Sequence, residues 1–207
     1  FFEGLLRGIH QYGRVDDDNL LPLPPKLAER VARMDHPEAG RSLKLAYTAS
    51  TFALNDARID ARTIARAGIV VGEGHSDIGS MRDAQVSGSS LQFTLLNAVP
   101  GSIAGHYGMQ GSTKSVAAAC ASGICAVADA YDTIRLGKSD VMVAGAAAAP
   151  LSSSFLEDGY LSMRNTPLTK NGELVIHPFG VSRGQFCLSE AAGMLVLEDY
   201  DAAQNRG

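Results

Sequence analysis

Three cysteines are the side chains of this sequence best suited to nucleophilic chemistry: Cys120, Cys125 and Cys187. Their spacing fits no metal-ligand pattern, and an odd number of cysteines argues against a complete disulfide framework. Each cysteine is therefore either a small apolar packing residue or a free thiol. The sequence around each cysteine is what distinguishes these two roles.

Cys120 has the setting of a reactive thiol. It follows the apolar run at 115–119 and comes just before a helical pattern that begins at Ser122. At the amino end of a helix, unpaired N–H groups and the helix dipole stabilise a thiolate. The same donors can stabilise the oxyanion that forms when a carbonyl is attacked. The small neighbours Ala119 and Gly123 leave room for a substrate. The alternative to a reactive thiol is a buried apolar cysteine, which is the interpretation we prefer for Cys125 and Cys187.

The elements around Cys120 form an α/β pattern. Short β-branched runs at 67–72 and 140–145 predict buried strands, and apolar residues at helical spacing predict helices over 37–55 and from Ser122 to Gly137. Strand, cysteine, helix and strand follow one another, which is the order of a layered sheet with crossover helices. Further helices are predicted at 26–34, within 78–107 and from about Asp199, and further strands at 185–189 and 193–197.

Composition narrows the classes of function. The chain has 207 residues, of which 45% are hydrophobic and 19% charged, as in ordinary globular proteins. No run reaches the roughly 18 apolar residues of a membrane span, and no segment resembles a signal peptide, so we expect a cytoplasmic protein. A net charge of -4 gives no reason to expect a nucleic-acid partner. The apolar start at Phe1 and the end at Gly207 favour a fragment, residues 1–207, of a larger domain.

The segment around Cys120 resembles the active-site segment of β-ketoacyl-acyl carrier protein synthases, members of the thiolase superfamily. The segment reads Ala118-Ala119-Cys120-Ala121-Ser122-Gly123. The likeness continues upstream at 102–111 and downstream at 137–145 and 178–198, and it is strongest from about Asn97 onward. It covers nearly the whole chain.

This resemblance implies a thiolase-like layered αβαβα fold made of two similar halves, with residues 1–207 forming most of the first. The family's first strand is then expected before Phe1 and its second half after Gly207. That second half carries the two histidines and the lysine that promote decarboxylation in the family. None of the five histidines here matches those positions: His10, His36, His75, His106 and His177.

The implied chemistry is a decarboxylative Claisen condensation with Cys120 as the acyl-accepting nucleophile and its backbone N–H in the oxyanion hole. No cofactor or metal is implied. The implied partners are an acyl carrier protein, acyl and malonyl thioesters, and a second subunit in a homodimer or a ketosynthase heterodimer.

Further residues have candidate roles through the same resemblance. Lys26, Arg30 and Arg33 recur about once per helical turn where related synthases dock their acidic carrier protein, although such a face is often only solvated. His75, with Ala119 and Phe155, is placed near the acyl pocket. The alternative for His75 is a solvated or internally bonded loop histidine, and the alternative for Phe155 is a core or dimer-interface residue. The loop 72–79 has the wrong glycine spacing for a dinucleotide-binding turn.

Several residues differ from the ketosynthase sequence pattern, and they keep functions other than fatty-acid elongation open. They fall at His177, Gly180, Ser189 and Ala191, and residues 146–148 lack an acidic residue common in the family. These changes favour a divergent branch, such as polyketide or polyene synthesis. The main alternative is a non-catalytic chain-length-factor subunit, which usually lacks the nucleophile. A degradative thiolase and a plain α/β binding domain are weaker alternatives.

Overall fold

The computed structural model describes residues 40–74, 95–150 and 189–206, with short pieces at 159, 162, 169–170, 173–174 and 179–181. Its helices are α1 (Arg41–Ala57), α2 (Ala61–Arg66), α3 (Ala98–Tyr107), α4 (Ser122–Arg135) and α5 (Tyr200–Arg206). Its strands are β1 (Gly68–Gly72), β2 (Thr113–Val116), β3 (Val141–Ala148), β4 (Thr169–Lys170), β5 (Glu173–Leu174) and β6 (Ala191–Glu198). Among the described helices, none has the length and apolar character needed to cross a membrane.

Four strands form one mixed sheet in the order β2-β1-β3-β6. Strand β1 runs parallel to both β2 and β3, whereas β6 runs antiparallel to β3. At one edge Gly72 pairs with Val116 and Ala146, and Ala146 also pairs with Gly193. The carboxyl ends of the three parallel strands and the amino end of β6 therefore meet at this edge, where α/β sheets commonly bind ligands.

The two faces of the sheet are covered by different helices. Ile69 and Val71 of β1 share a buried cluster with residues of α1 and α3. Val70, between them, joins a second cluster with Ala126 and Ala130 of α4. All five residues of β1 are buried, as predicted for a strand that is covered on both sides. The crossover helix α4 thus occupies one face, and α1 and α3 the other.

Side-chain caps fix the starts of two short helices. Asp60 accepts a hydrogen bond from the Thr63 N–H at 2.7 Å, and its hydrogen bonding with Thr63 holds the pKa of Asp60 below its usual value. Asp199 accepts hydrogen bonds from the N–H groups of Asp201 and Ala202, both at 3.1 Å. The helix predicted to begin near Asp199 is thereby confirmed.

Most predicted elements in the described residues are confirmed, with shifts at their ends. The strands predicted at 67–72 and 140–145 are β1 and β3, but β3 continues to Ala148. The helix predicted over 37–55 begins at Arg41 and ends at Ala57. The predicted helix at 26–34 and residues 185–188 of a predicted strand lie outside the described residues.

Candidate functional site

Cys120 lies in the short connection between β2 and α4. Strand β2 ends at Val116 and helix α4 begins at Ser122, so the predicted order of strand, cysteine and helix is confirmed. The thiol is free and its residue is exposed. Cys125, one turn into α4, is partly buried, consistent with the packing role expected for it. The exposed thiol at the carboxyl edge of the sheet is the group that a substrate can reach.

Hydrogen bonds hold the turn that carries Cys120. The Ala121 N–H donates to the Ala118 carbonyl at 3.0 Å, and the Ser122 N–H donates to the Ala119 carbonyl at 3.1 Å. The Ser122 hydroxyl accepts from the Ala118 N–H at 2.8 Å and lies 2.7 Å from the Ala119 carbonyl oxygen. It also lies 3.2 Å from the Glu73 carbonyl oxygen, beyond the end of β1. The turn is therefore tied both to itself and to the neighbouring strand.

Ala119, next to the nucleophile, has a left-handed backbone. Its φ is 48°, a conformation that costs an L-residue roughly 1–2 kcal/mol. An intramolecular hydrogen bond contributes a net stabilisation of about 0.5–1.5 kcal/mol, so the hydrogen bonds made by Ser122 are strong enough to offset this strain. Strained backbone of this kind often occurs at functional sites, where it fixes the direction of a side chain.

Cys120 opens into a cavity of about 780 Å³, a volume in the range of small-molecule sites. The large apolar side chains of Ile124 and Leu195 line it and are 69% and 55% exposed. The rest of the lining is mainly small: Gly72, Gly74, Ala119, Ser122, Gly123, Val127, Gly145, Ala146, Ala147, Ala148, Pro150, Ser189, Ala191, Ala192, Gly193 and Met194. A wall of this composition suits an uncharged, apolar substrate chain.

None of the described residues that line the cavity is charged. Helix α4 has no acidic residue in its first turn and no side-chain cap at Ala121, so no carboxylate there opposes the positive end of the helix dipole. The carboxylate of Glu190, between two lining residues, is paired with Arg41 at the start of α1. Within the described residues, no group of three or more histidine, cysteine or acidic side chains is arranged to hold a metal ion.

The structure places only part of the predicted site. Ala119 and Cys120 line the same cavity, as do two of the positions that depart from the family pattern, Ser189 and Ala191. His106 lies elsewhere, hydrogen-bonded to the Tyr47 hydroxyl at 2.6 Å between α1 and α3. Gly180, another departure, is described only as part of a short turn. Outside the described residues lie Lys26, Arg30, Arg33, His75, Phe155 and His177.

Three residues of the site were missed by the sequence analysis: Ser122, Ile124 and Leu195. The role of Ser122 could have been predicted, because a serine at the start of the predicted helix can form hydrogen bonds with the main chain of the preceding turn. Ile124 and Leu195 had none, since an apolar residue in a helix or strand is normally expected in the core.

Comparison with known proteins decides the family. The model of the β-ketoacyl synthase N-terminal domain matches residues 17–203. The chain belongs to the β-ketoacyl synthase family. Among curated relatives of this synthase domain, nodulation protein E of Rhizobium leguminosarum bv. trifolii is 40% identical over 119 residues, covering 56% of this chain and 28% of that protein. A 3-oxoacyl-(acyl-carrier-protein) synthase homolog of Saccharomyces cerevisiae is 33% identical over 153 residues, covering 67% and 32%.

Solved structures confirm the thiolase-like fold. A ketosynthase in complex with its type II polyketide synthase acyl-carrier protein has a TM-score of 0.74 at 24% identity, covering 84% of this chain and 47% of that one. The ishigamide ketosynthase/chain length factor has a TM-score of 0.72 at 25% identity, covering 82% and 44%. The chain thus spans about a quarter to a half of the relatives it matches.

Proposed function

We propose that this chain supplies the acyl-accepting nucleophile, Cys120, of a ketosynthase that acts in fatty-acid or polyketide synthesis. The proposal is carried by one observation: Cys120 is a free, exposed thiol that faces a mainly apolar cavity. It lies between a strand and a helix, on a turn that hydrogen bonds stabilise. Family membership supports the reaction type that we propose, a decarboxylative Claisen condensation. The fold alone would not, because one fold hosts many reactions.

In the first stage the Cys120 thiolate attacks the carbonyl carbon of an acyl thioester. A bond forms from its sulfur to that carbon, the bond to the carrier sulfur breaks, and the carrier leaves as a thiol after taking up a proton. We assign the backbone N–H of Cys120 to the oxyanion that develops on the carbonyl oxygen. The cavity beside Ile124 and Leu195 then accepts part of the acyl chain.

In the second stage a malonyl thioester loses carbon dioxide, and the carbanion left behind attacks the S-acyl carbon. The new carbon–carbon bond forms as the bond to the Cys120 sulfur breaks, which regenerates the thiolate and releases a β-ketoacyl thioester two carbons longer. The histidines and lysine that assist this stage in the family are expected in the second half of the domain. The activity is therefore proposed for the full-length protein.

An acyl carrier protein is the proposed macromolecular partner, together with a second ketosynthase-type subunit in a homodimer or heterodimer. Lys26, Arg30 and Arg33 are the cations that we assign to carrier docking. Charge reversal at Arg30 and Arg33 is expected to raise the apparent KM for carrier-bound substrate severalfold, since each reversal replaces attraction to an acidic carrier by repulsion. An unchanged KM would remove these residues from the docking site.

The alternative is a non-catalytic subunit that sets chain length beside an active ketosynthase. The departures at Ser189 and Ala191, both on the cavity wall, favour it, whereas the retained Cys120 favours a catalyst. A relative of solved structure is itself a ketosynthase/chain length factor. The two functions differ in one measurable respect, which is whether the cysteine accepts an acyl group.

The test is covalent labelling of the full-length protein, followed by intact-mass and peptide analysis. We expect one adduct with the epoxide inhibitor cerulenin and one S-acyl adduct with acyl-carrier substrates, both at Cys120. Cys120→Ala should abolish both adducts, and the matched control Cys125→Ala should retain them, because Cys125 is partly buried within α4. A full-length protein that forms neither adduct would favour the non-catalytic subunit.

A further inference from the structure

Ser122 is a buried polar residue at the first position of α4, only 3% exposed. Its hydroxyl lies within hydrogen-bond distance of three main-chain groups from two separate segments of the chain. Buried hydroxyl groups are retained where they satisfy such main-chain groups, and their loss leaves those groups unpaired. The burial and the contacts together mark Ser122 as a link between segments.

The hydroxyl has one hydrogen and two acceptor lone pairs, which limits how it can bond. It accepts from the Ala118 N–H at 2.8 Å, so its own hydrogen is left for a carbonyl. The nearer carbonyl is that of Ala119 at 2.7 Å, and that of Glu73 is at 3.2 Å. Ser122 therefore holds groups on both sides of the peptide that joins Ala118 to Ala119, immediately before Cys120.

The main-chain groups that Ser122 contacts belong to the backbone that leads into Cys120. Ala119 is held at φ 48°, and the peptide that follows it leads into Cys120. The nearby Glu73 carbonyl follows the end of β1, between Gly72 and Gly74, which line the same cavity. A rotation of the Ala119 backbone would swing the Cys120 side chain relative to that wall.

We propose that Ser122 is a positioning residue for acyl transfer, which acts through the Ala118–Ala119 peptide to fix the Cys120 thiolate for attack. The inference rests on the proposed function of Cys120 and adds a residue whose buried hydroxyl acts through main-chain hydrogen bonds. Because misplacement of reacting groups by about 1 Å can cost about a hundredfold in rate, loss of the hydroxyl acts on the acylation rate. Substrate affinity should change little, because the Ser122 hydroxyl is buried and bonded to the main chain, although its residue borders the cavity.

The experiment measures S-acylation of Cys120 in the full-length protein, with acyl-coenzyme A thioesters from acetyl to octanoyl and quenched-flow mass analysis. Ser122→Ala is expected to lower the maximal acylation rate by about tenfold to a hundredfold, with the half-saturating thioester concentration within about twofold of the parent value. Ser122→Thr keeps the hydroxyl and is expected to retain acylation within about fivefold.

Ser139→Ala is the matched control. The Ser139 hydroxyl also makes main-chain hydrogen bonds, donating to the Val141 carbonyl at 2.8 Å and accepting from its N–H at 3.3 Å, but at the opposite end of the sheet. Its removal should leave the acylation rate unchanged. If Ser122→Ala does not fold, the double variant Ala119→Gly with Ser122→Ala replaces it, since glycine adopts the left-handed conformation without strain. The folded double variant is compared with Ala119→Gly alone and is expected to be acylated more slowly than that single variant; equal rates would overturn the role of Ser122.

The outcomes separate this inference from the proposed function. A parent protein that is acylated at Cys120, together with a Ser122→Ala variant acylated at the same maximal rate, would overturn the role of Ser122 and leave the function of Cys120 intact. An effect confined to the half-saturating concentration would do the same. A parent protein with no acylation at Cys120 would overturn both.

Discussion

Gly72 and Ser122 are in direct backbone contact: a Cβ added to Gly72 would lie 2.3 Å from the Ser122 carbonyl oxygen and 2.4 Å from its carbonyl carbon. No real Cβ tolerates such distances, so the end of β1 can approach the start of α4 this closely only because residue 72 is glycine. The contact fixes the distance between the central strand and the turn that carries Cys120.

Gly72→Ala is therefore expected to displace the start of α4 and to destabilise the fold by about 1–3 kcal/mol, the usual cost of overpacking. Acylation of Cys120 should slow in the same variant. Gly105→Ala is the control, because Gly105 lies in helix α3 with open space around its Cβ position. That change should stabilise the protein by up to about 1 kcal/mol. Urea unfolding gives both free energies, and equal effects at the two glycines would contradict the contact.

The left-handed backbone of Ala119 leads to a second prediction. Ala119→Gly removes about 1–2 kcal/mol of strain but costs roughly 0.5–1 kcal/mol of chain entropy, so the free energy of unfolding should stay constant or rise by up to about 1.5 kcal/mol. Acylation of Cys120 should nevertheless slow, because glycine lets the turn sample other conformations. Arg58→Gly is the control: Arg58, after α1, has φ 51° and is remote from the cavity residues. Arg58→Gly should change the free energy of unfolding as Ala119→Gly does, but Cys120 should be acylated at the parent rate.

Sequence patterns predicted the layers and the nucleophile because both depend on local regularities. A continuous β-branched run identified β1 as a strand covered on both faces, and helical spacing placed α4 directly after Cys120. The left-handed backbone of Ala119 was not predicted, since alanine has no preference for positive φ and the conformation arises from bonds made by Ser122. Tertiary contacts of this kind have no signature in a single sequence.

The cavity wall shows a second limit of sequence patterns. Leu195 belongs to a continuous apolar run in β6, as a core residue would, yet it is exposed beside Cys120. Which face of a strand lies against a cavity depends on what packs there, and alternation alone does not identify that partner. The short contact between Gly72 and Ser122 likewise joins residues fifty positions apart, which no local pattern encodes.

Because Tyr47 is hydrogen-bonded to His106, we expect loss of its hydroxyl to destabilise the protein more than loss of the hydroxyl of an exposed tyrosine. Tyr47 is buried, and its hydroxyl lies 2.6 Å from His106 Nε2 between α1 and α3. Tyr47→Phe should therefore cost about 0.5–1.5 kcal/mol. The exposed Tyr131, whose hydroxyl meets the Arg135 guanidinium at 3.4 Å, is the matched control, and Tyr131→Phe should change stability by less than about 0.5 kcal/mol. Similar losses in thermal unfolding would contradict a contribution from the histidine bond.

Asp60 predicts a pH-dependent contribution to stability. Its hydrogen bonds with Thr63 lower its pKa in the folded state, so the unfolded chain binds the proton more tightly. The resulting stabilisation is present above the unfolded pKa and is lost as the pH falls through the lower, folded pKa. Asp60→Asn keeps a capping side chain without the charge, so its deficit in unfolding free energy relative to the parent should shrink on acidification. A deficit that is constant from neutral pH to pH ~3 would contradict the shift.

The ion pair of Arg41 and Glu190 joins the start of α1 to the segment that enters β6 beside the cavity, with the two side chains 24% and 9% exposed. Removal of one partner leaves a largely buried charge, so a double-mutant cycle with alanine at both positions should give a coupling energy of about 1–3 kcal/mol. The more exposed pair of Lys114 and Asp129, at 44% and 35%, should give less than about 1 kcal/mol. Molar salt should reduce the coupling of the exposed pair far more than that of the buried one, because ions screen charges in solvent. Equal coupling energies, equally sensitive to salt, would show that Glu190 does not hold α1 against the entrance of β6.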